Sequence, residues 1–467
     1  MKKLSPFLAA LLMLAFGGGV PAVHGSTSDT GSGGPNIRHI KGATAITEVF
    51  GDGQKLTTVA IEYDKSIVSS KLSPSAFSVD GRTITKVYAN EAAAKASQGI
   101  DGKFVIIELS PLDEAASILV QHLPTGPGPG GPDLSQQGPE SADKGGPPFM
   151  MASPRREVKA SVKQLEVVTT TDGEKYAPSA SAMETDKKIN LVVDDFLGLE
   201  FKDPGTGKIL KYSLYVPKHY DKNKSYPMVM FIHDASACST EPDRTLIQGN
   251  GAVIWATPSE QAKHEAFVLA PQYNGVMTTD DFHTSDMLDT TVKLINSLVS
   301  QYNIDRNRIY TTGQSMGCML SIAMNIKYPD VFAASMLVAG QWDPQAMSVL
   351  AKKKMWIIVA EGDTRAFPGM NASLAVMKKA GAKISRAKWN GRAGDAETEA
   401  NVRKMIEEGG NIKYTVYGKG TTLPVELAQS GRNEHMETWK LAYNIEGVRD
   451  WLFAQTKSPG PSLNAKQ

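Results

Sequence analysis

A strand, a sharp turn and a helix start follow one another between Arg308 and Leu320, and this succession most constrains the fold. Residues 309–311 are β-branched or aromatic, which favours a strand, and the apolar segment 319–328 favours a buried helix. Between them, Gly313-Gln314-Ser315-Met316-Gly317 fits the G-x-S-x-G nucleophile elbow, in which side chains at the glycines would collide with flanking structure. The pentapeptide also occurs by chance and in ordinary strand-to-helix turns, so its meaning depends on partner residues elsewhere.

Beyond residue 190 the chain alternates strand-like and helix-like patterns. The runs Met228–His233 and Met355–Ala360 are apolar enough to be strands buried on both faces. The segment Asp289–Tyr302 has the periodicity of an amphipathic helix. This alternation predicts an α/β fold whose mostly parallel sheet carries helices on both faces, with its functional edge at the carboxyl ends of the strands.

The earlier part of the chain is strand-like instead. Val59, Ile61 and Tyr63 alternate with smaller or polar residues, which is the period of a strand with one buried face. Further short runs separated by turn residues continue to about Pro111. We therefore expect an all-β sandwich ahead of the α/β domain.

The ends of the chain and one interruption have compositions that are not typical of a folded core. A basic start, a short apolar run and small residues near Gly25 predict a secretory signal peptide, with an uncleaved anchor as the alternative. A Pro/Gly-rich tract precedes a strand-like segment at 157–168, so we interpret the tract as an insertion within the sandwich. The predicted parts are a signal peptide (1–25), a flexible leader (26–36), a sandwich (37–175) with the insertion at about 124–154, a catalytic domain (190–456) and a flexible tail (457–467).

Composition excludes several classes of function. A formal net charge of +1 with 21% charged residues gives no signature of a nucleic-acid partner. The apolar run of the predicted signal peptide is too short to span a bilayer, and no other stretch approaches the roughly 20 apolar residues that a membrane span needs. The chain has no His-x-x-x-His or Cys-x-x-Cys cluster for a metal and no phosphate-binding glycine motif for a cofactor. We expect a secreted, extracellular protein without metal or cofactor.

A serine hydroxyl needs a base, and hydrolases with this elbow place an acid and then a histidine after the serine. Only His435, of eight histidines, follows Ser315, so it is the candidate base, with an ordinary surface histidine as the alternative. Asp363 follows an apolar strand and a glycine, which suits the acid that orients the histidine. Glu361 and Asp343 are its rivals.

The oxyanion hole needs two N–H groups. One candidate is the N–H of Met316, and the other is that of Ala235, in the loop after the strand that ends at His233. We interpret His233 as a histidine that braces this loop. Cys238 and Cys318 would both lie beside the site, so they are a candidate disulfide, with two unrelated buried thiols as the alternative.

These residues carry a resemblance to a known family. From about 190 to 455 the chain resembles secreted α/β-hydrolase esterases of the phospholipase/carboxylesterase and polyhydroxybutyrate-depolymerase-like type, often labelled predicted peptidases. The first domain resembles the immunoglobulin-like domain that precedes the catalytic domain in some of these esterases. Two departures are Asp234, where the family has glycine, and Cys318, where the elbow helix continues with glycine. The motifs that carry the resemblance are Phe267–Gln272, the elbow, Glu361-Gly362-Asp363, and His435 followed by Trp439, Ala442 and Tyr443, with Ile46–Leu109 in the first domain.

The resemblance implies an extracellular serine esterase that works through Ser315, His435 and Asp363, an oxyanion hole and an acyl-enzyme, on a small or polymeric ester. A serine peptidase of the same fold and an inactive cell-surface binding protein are the alternatives. The N-terminal domain is a candidate surface for homo-oligomer formation. Residues near the carboxyl edge that could contact substrate, or serve only in packing and loop hydrogen bonds, are Gln272, Gln314 and Trp342.

Overall fold

The computed structural model describes residues 39–120 and 153–457. The predicted signal peptide and leader, nearly all of the Pro/Gly-rich insertion, and the tail beyond residue 457 lie outside the described residues. The strands of the N-terminal domain are β1 (Ile40–Phe50), β2 (Gly53–Ile67), β3 (Phe77–Val79), β4 (Ile84–Asn90), β5 (Gly102–Leu109), β6 (Ser161–Gln164), β7 (Val168–Thr169), β8 (Lys175–Tyr176), β9 (Met183–Glu184) and β10 (Lys187–Asn190).

The N-terminal domain is a β-sandwich. One sheet has the order β10-β1-β2-β5-β4 and the other the order β3-β6-β9, with β7 and β8 as a separate pair. Val59, Ile61 and Tyr63 from the first sheet share a buried core with Phe77 and Val79 from the second. The alternation in the sequence therefore identified the buried face of β2 correctly.

The strand pairing also shows how far this domain extends. β6 follows the insertion and pairs with β3, so the chain returns to the sandwich after the Pro/Gly-rich tract. β10 pairs in parallel with β1, through partners such as Thr44 and Lys187. β9 and β10 follow the predicted end of the sandwich at residue 175 and pair with β6 and β1, so the strands of both sheets continue to residue 190.

The C-terminal domain alternates strands with helices, as its sequence pattern predicts. Its strands are β11 (Leu197–Lys202), β12 (Ile209–Tyr215), β13 (Tyr226–Ile232), β14 (Phe267–Gln272), β15 (Ile304–Gln314), β16 (Ala334–Val338), β17 (Met355–Ala360), β18 (Ile384–Trp389) and β19 (Ile412–Tyr417). Its helices are α1 (Arg244–Ile247), α2 (Pro258–Lys263), α3 (Met287–Gln301), α4 (Met316–Lys327), α5 (Ala366–Lys379), α6 (Asp395–Glu407), α7 (His435–Ala442) and α8 (Glu446–Phe453).

These strands form one sheet in the order β11-β12-β14-β13-β15-β16-β17-β19-β18. Only the pairings that involve β12 are antiparallel, so the sheet is mostly parallel, as predicted. Met228 and Met230 of β13 pack on the face covered by α3, α4 and α5, whereas Val229 and Phe231 pack on the face covered by α1, α6, α7 and α8. In the part of the chain described here, no helix combines the length and the apolarity needed to cross a bilayer.

The two domains are in direct contact through the turn between β1 and β2. A Cβ atom added to Gly51 would lie 2.4 Å from the backbone oxygen of Lys440 in α7. Leu119 joins the core of the C-terminal domain, and Arg155 donates two hydrogen bonds to Asp243, of 2.9 and 3.1 Å. The sandwich therefore packs against α7.

Candidate active site

Ser315 lies at the end of β15, at the carboxyl edge of the sheet and immediately before α4. Its backbone has φ 52° and ψ −119°, a conformation that non-glycine residues rarely adopt. A Cβ atom on Gly317 would lie 2.0 Å from the backbone oxygen of Ile232, and one on Gly313 would lie 2.5 Å from the backbone of Gly317. The elbow glycines are thus required by close backbone approach, partly to the neighbouring strand β13 rather than only to the flanking elements.

Two hydrogen bonds join the three residues predicted from motif and chain order. The Oγ of Ser315 lies 2.9 Å from Nε2 of His435, and Nδ1 of His435 lies 2.5 Å from Oδ2 of Asp363. An ionised carboxylate can only accept, so Nδ1 carries the proton and Nε2 is free to accept from the serine hydroxyl. The geometry therefore lets the imidazole take a proton from Ser315.

The two rival acids have other partners. Glu361 accepts a hydrogen bond from the Lys419 amide at 3.0 Å, and Asp343 accepts one from the Gln345 amide at 3.0 Å. Of the three candidates, only Asp363 is hydrogen-bonded to His435.

The carboxylate of Asp363 is held in its ionised form. Burial by itself would raise the pKa of Asp363, which is 1% exposed, but the hydrogen bond and charge of His435 and two backbone hydrogen bonds together outweigh it. The amides of Ala366 and Arg365 also donate to Oδ1, at 2.9 and 3.0 Å. The pKa of Asp363 is lowered as a result, which keeps the acceptor that orients the histidine.

Glu434 holds the loop that carries His435. Its buried carboxylate accepts from the Gly420 amide at 2.6 Å and from the Thr422 hydroxyl at 2.6 Å. A Cβ atom on Gly362 would meet this carboxylate at 1.9 Å, so the glycine beside Asp363 makes room for Glu434. Sequence reasoning missed this residue, and its position directly before the only downstream histidine was the one available signal.

The loop after β13 is braced by His233, as the sequence suggested. His233 is 1% exposed; its Nε2 accepts from the Tyr273 amide at 3.0 Å, so its Nδ1 is the donor to the Asp234 carbonyl at 2.7 Å. Burial lowers the pKa of His233, which keeps the ring neutral. In a trans peptide the carbonyl and the next N–H point in opposite directions, so this bond turns the Ala235 N–H away from His233.

The side chain of Asp234 links this loop to the elbow. One carboxylate oxygen accepts from the Ser236 amide at 2.9 Å, and the other accepts from Nε2 of Gln314 at 2.8 Å. Gln314 directly precedes Ser315. The residue that departs from the family pattern is therefore bonded to the residue before the predicted nucleophile.

The three candidate substrate-contact residues are used within the protein. Gln314 donates to Asp234, and Gln272 accepts from the Thr245 amide at 2.7 Å while donating to the Ala237 carbonyl at 2.9 Å. Trp342 is 6% exposed and its ring packs against Phe282 at 5.5 Å. These contacts support the alternative role, in packing and loop hydrogen bonds.

The predicted disulfide is wrong for this structure, in which Cys238 and Cys318 are free and buried. The Cys238 thiol donates to the Gly275 carbonyl at 3.1 Å, and Cys318 packs against Gly340. Burial raises the pKa of both thiols, so they stay protonated. The alternative of two separate buried thiols holds.

One group within the described residues has the spacing of a metal site. Glu260, His264 and Asp450 bring ligand atoms within 4.8 Å of one another. Glu260, however, is paired with Arg449 at 2.8 Å, and His264 is hydrogen-bonded to Asp450 at 2.7 Å. An ion would have to displace or share these contacts, and none of the three residues belongs to the site around Ser315.

Comparisons with known proteins agree with this geometry. Residues 42–177 match the Esterase Ig-like N-terminal domain, and residues 210–387 match the Esterase PHB depolymerase family. A crystal structure of a thermostable esterase has 30% sequence identity and a TM-score of 0.69, and the match covers 89% of this chain and 100% of that one.

Two curated relatives are similar over shorter stretches. Acetylxylan esterase A of Aspergillus ficuum is 25% identical over 257 residues, which is 53% of this chain and 80% of the relative. Acetylxylan esterase A of Emericella nidulans is 30% identical over 105 residues, which is 22% of this chain and 34% of the relative.

The fold, the site and these similarities define a carboxylesterase-type hydrolase with the α/β-hydrolase fold. More particularly, the chain belongs to the esterases in which an immunoglobulin-like domain precedes a catalytic domain of the PHB-depolymerase type.

Proposed function

We propose that Ser315, His435 and Asp363 form the catalytic triad of this esterase and that hydrolysis passes through an acyl-enzyme. The observation that supports this most is the continuous pair of hydrogen bonds from Ser315 to His435 and from His435 to Asp363. The strained backbone of Ser315, at the start of a helix, is the second.

In the first half-reaction Oγ of Ser315 bonds to the ester carbonyl carbon while Nε2 of His435 takes its proton. The carbonyl oxygen gains the electron pair, and the N–H groups of Met316 and Ala235 are its donors. The intermediate then expels the alcohol oxygen, which takes the proton from His435. Water repeats the sequence on the acyl group, releasing the acid and restoring Ser315.

The names of the curated relatives supply a candidate class of substrate. Because two relatives are named acetylxylan esterase A, an acetyl ester of a xylan-type polysaccharide is our first candidate. The basic and apolar start of the sequence supports export to an extracellular location. A secreted esterase could reach a polymeric substrate of this kind.

The deciding experiment uses a short-chain p-nitrophenyl ester with wild type and Ser315→Ala. We expect kcat/KM to fall by about 10⁴-fold or more, since triad members act as a unit. Blocked peptides and acetylated xylan, assayed in parallel, separate a peptidase from an esterase and test the polymer. Retention of ester hydrolysis by Ser315→Ala would overturn the mechanism.

A further inference from the structure

We propose that the buried hydrogen bond between Asp234 and Gln314 positions the two halves of the oxyanion hole relative to each other. Asp234 directly precedes Ala235, and Gln314 lies two residues before Met316, so this bond connects the peptides next to both proposed donors. The inference rests on the proposed function. Both residues are positioning residues, because neither is argued to touch the substrate.

The hydrogen bond between Asp234 and Gln314 is buried, which indicates a structural role. Asp234 is 4% exposed and Gln314 is 2% exposed, and a carboxylate at such a position is costly unless donors surround it. Its donors are the Ser236 amide, the Ser236 hydroxyl and Nε2 of Gln314. Two of the three come from the turn that contains Ala235, so Gln314 supplies the only one of them from the nucleophile strand.

The pairing of Ile232 with Gly313 ties β13 to β15 just before this loop, whereas the other side-chain contacts within the loop do not reach the Ser315 turn. His233 fixes the orientation of the peptide before Ala235, and Gln272 holds the Ala237 carbonyl. His233 directly follows β13, and Gln272 is the last residue of β14. The bond to Gln314 joins the loop to β15 and hence to the Ser315 turn. Donor placement matters because an oxyanion hole works only when both N–H groups meet the same oxygen.

Four variants test this: Asp234→Ala, Asp234→Asn, Gln314→Leu, and the double variant with Asp234→Ala and Gln314→Leu. We expect each of the Ala and Leu changes to lower kcat by about 10- to 100-fold, a part of the loss seen when a donor itself is removed, with KM changed less than about threefold. The double variant should be little worse than either single variant, because both remove one contact. Asp234→Asn should recover much of the kcat lost in Asp234→Ala, since an amide pair can rebuild the bond once the Gln314 amide rotates.

A second readout isolates the oxyanion. A trifluoromethyl ketone forms an adduct with a catalytic serine, and this adduct carries a negatively charged oxygen like that of the intermediate. The affinity for the ketone should therefore fall in parallel with kcat. Gln164→Leu is the matched control. Gln164 is also 2% exposed and its side-chain amide donates a hydrogen bond to the Tyr176 carbonyl, but it lies in the sandwich. The control should lose thermal stability and keep kcat per folded molecule.

The inference is overturned if Asp234→Ala and Gln314→Leu behave like the control, or if their effects on kcat multiply in the double variant. If Asp234→Ala does not fold, Gln314→Leu and Asp234→Asn still decide the question. An inactive Ser315→Ala together with unaffected Asp234 and Gln314 variants refutes only this inference. An active Ser315→Ala refutes the proposed mechanism itself.

Discussion

The turn that presents Ser315 and the loop that presents His435 are held by different kinds of contact. At the turn, Gly313 and Gly317 allow backbone atoms to approach so closely that a single Cβ atom would collide. At the histidine loop, the buried carboxylate of Glu434 accepts from the Gly420 amide and the Thr422 hydroxyl. The glycines of the turn belong to a five-residue motif that is visible in the sequence, although the backbone that Gly317 meets belongs to β13. No comparable motif shows which donors will surround the carboxylate of Glu434.

The largest effect should come from the turn. Gly317→Ala places Cβ 2.0 Å from the Ile232 oxygen, a backbone atom that cannot move without shifting β13. We expect a loss of about 3 kcal/mol or more in the free energy of unfolding, measured by urea titration, and no detectable esterase activity. Gly198→Ala is the control, because no atom of the described residues lies within 4 Å of its added Cβ, and it should stay near wild type. If the two variants behaved alike, close backbone approach at Gly317 would not explain how the turn is held.

The next effect should come from the histidine loop. The Gly420 amide donates to the carboxylate of Glu434. Glu434→Gln replaces one carboxylate oxygen by an NH₂ group, which can face the Gly420 amide only as a second donor. We expect a loss of about 1–3 kcal/mol in stability and about a tenfold fall in kcat, measured by urea titration and ester hydrolysis. Glu437→Gln makes the same change three residues later, where Lys440 is the partner that the carboxylate has among residues 39–120 and 153–457. If both variants lose kcat equally, the buried contacts of Glu434 do not position His435.

A smaller effect should appear in the pH dependence of stability. The pKa of Asp363 is lowered in the folded protein from its ordinary 3.8, so its contribution is fully present above that value and is lost as pH falls through the folded pKa. We expect the difference in unfolding free energy between wild type and Asp363→Asn to shrink as pH falls below about 4. A difference that grows as pH falls below that value would contradict the sign.

The smallest effect concerns the two cysteines. A disulfide between them would have tied the loop after β13 covalently to the helix that follows Ser315. Because Cys238 and Cys318 are free and buried, adding a reductant should leave Tm and kcat unchanged. Thiol labelling should be slow in the native protein and should modify both cysteines after denaturation. A mass increase of two protons on reduction, mapped to these two peptides, would show instead that a disulfide joins the two regions.

Much of the architecture could be predicted because it depends on local patterns. The alternation of Val59, Ile61 and Tyr63 predicted the buried face of β2, and apolar runs such as Met355–Ala360 predicted central strands. The strand β10 was not predicted, because it is short and pairs with β1, far away in the sequence. A strand of this kind has no strong pattern of its own, since its partner supplies the stabilising hydrogen bonds.

The sequence by itself predicted the turn that presents Ser315 and the histidine that meets it, because the glycine spacing marks the turn within five residues and only His435 follows Ser315. Only the tertiary structure decided which acid meets the histidine, that Glu434 supports its loop, that Gln314 bonds to Asp234, and that the two thiols stay apart. These outcomes depend on distances of a few ångströms between residues far apart in the chain, and residue types do not encode such distances until the sheet and its loops are assembled.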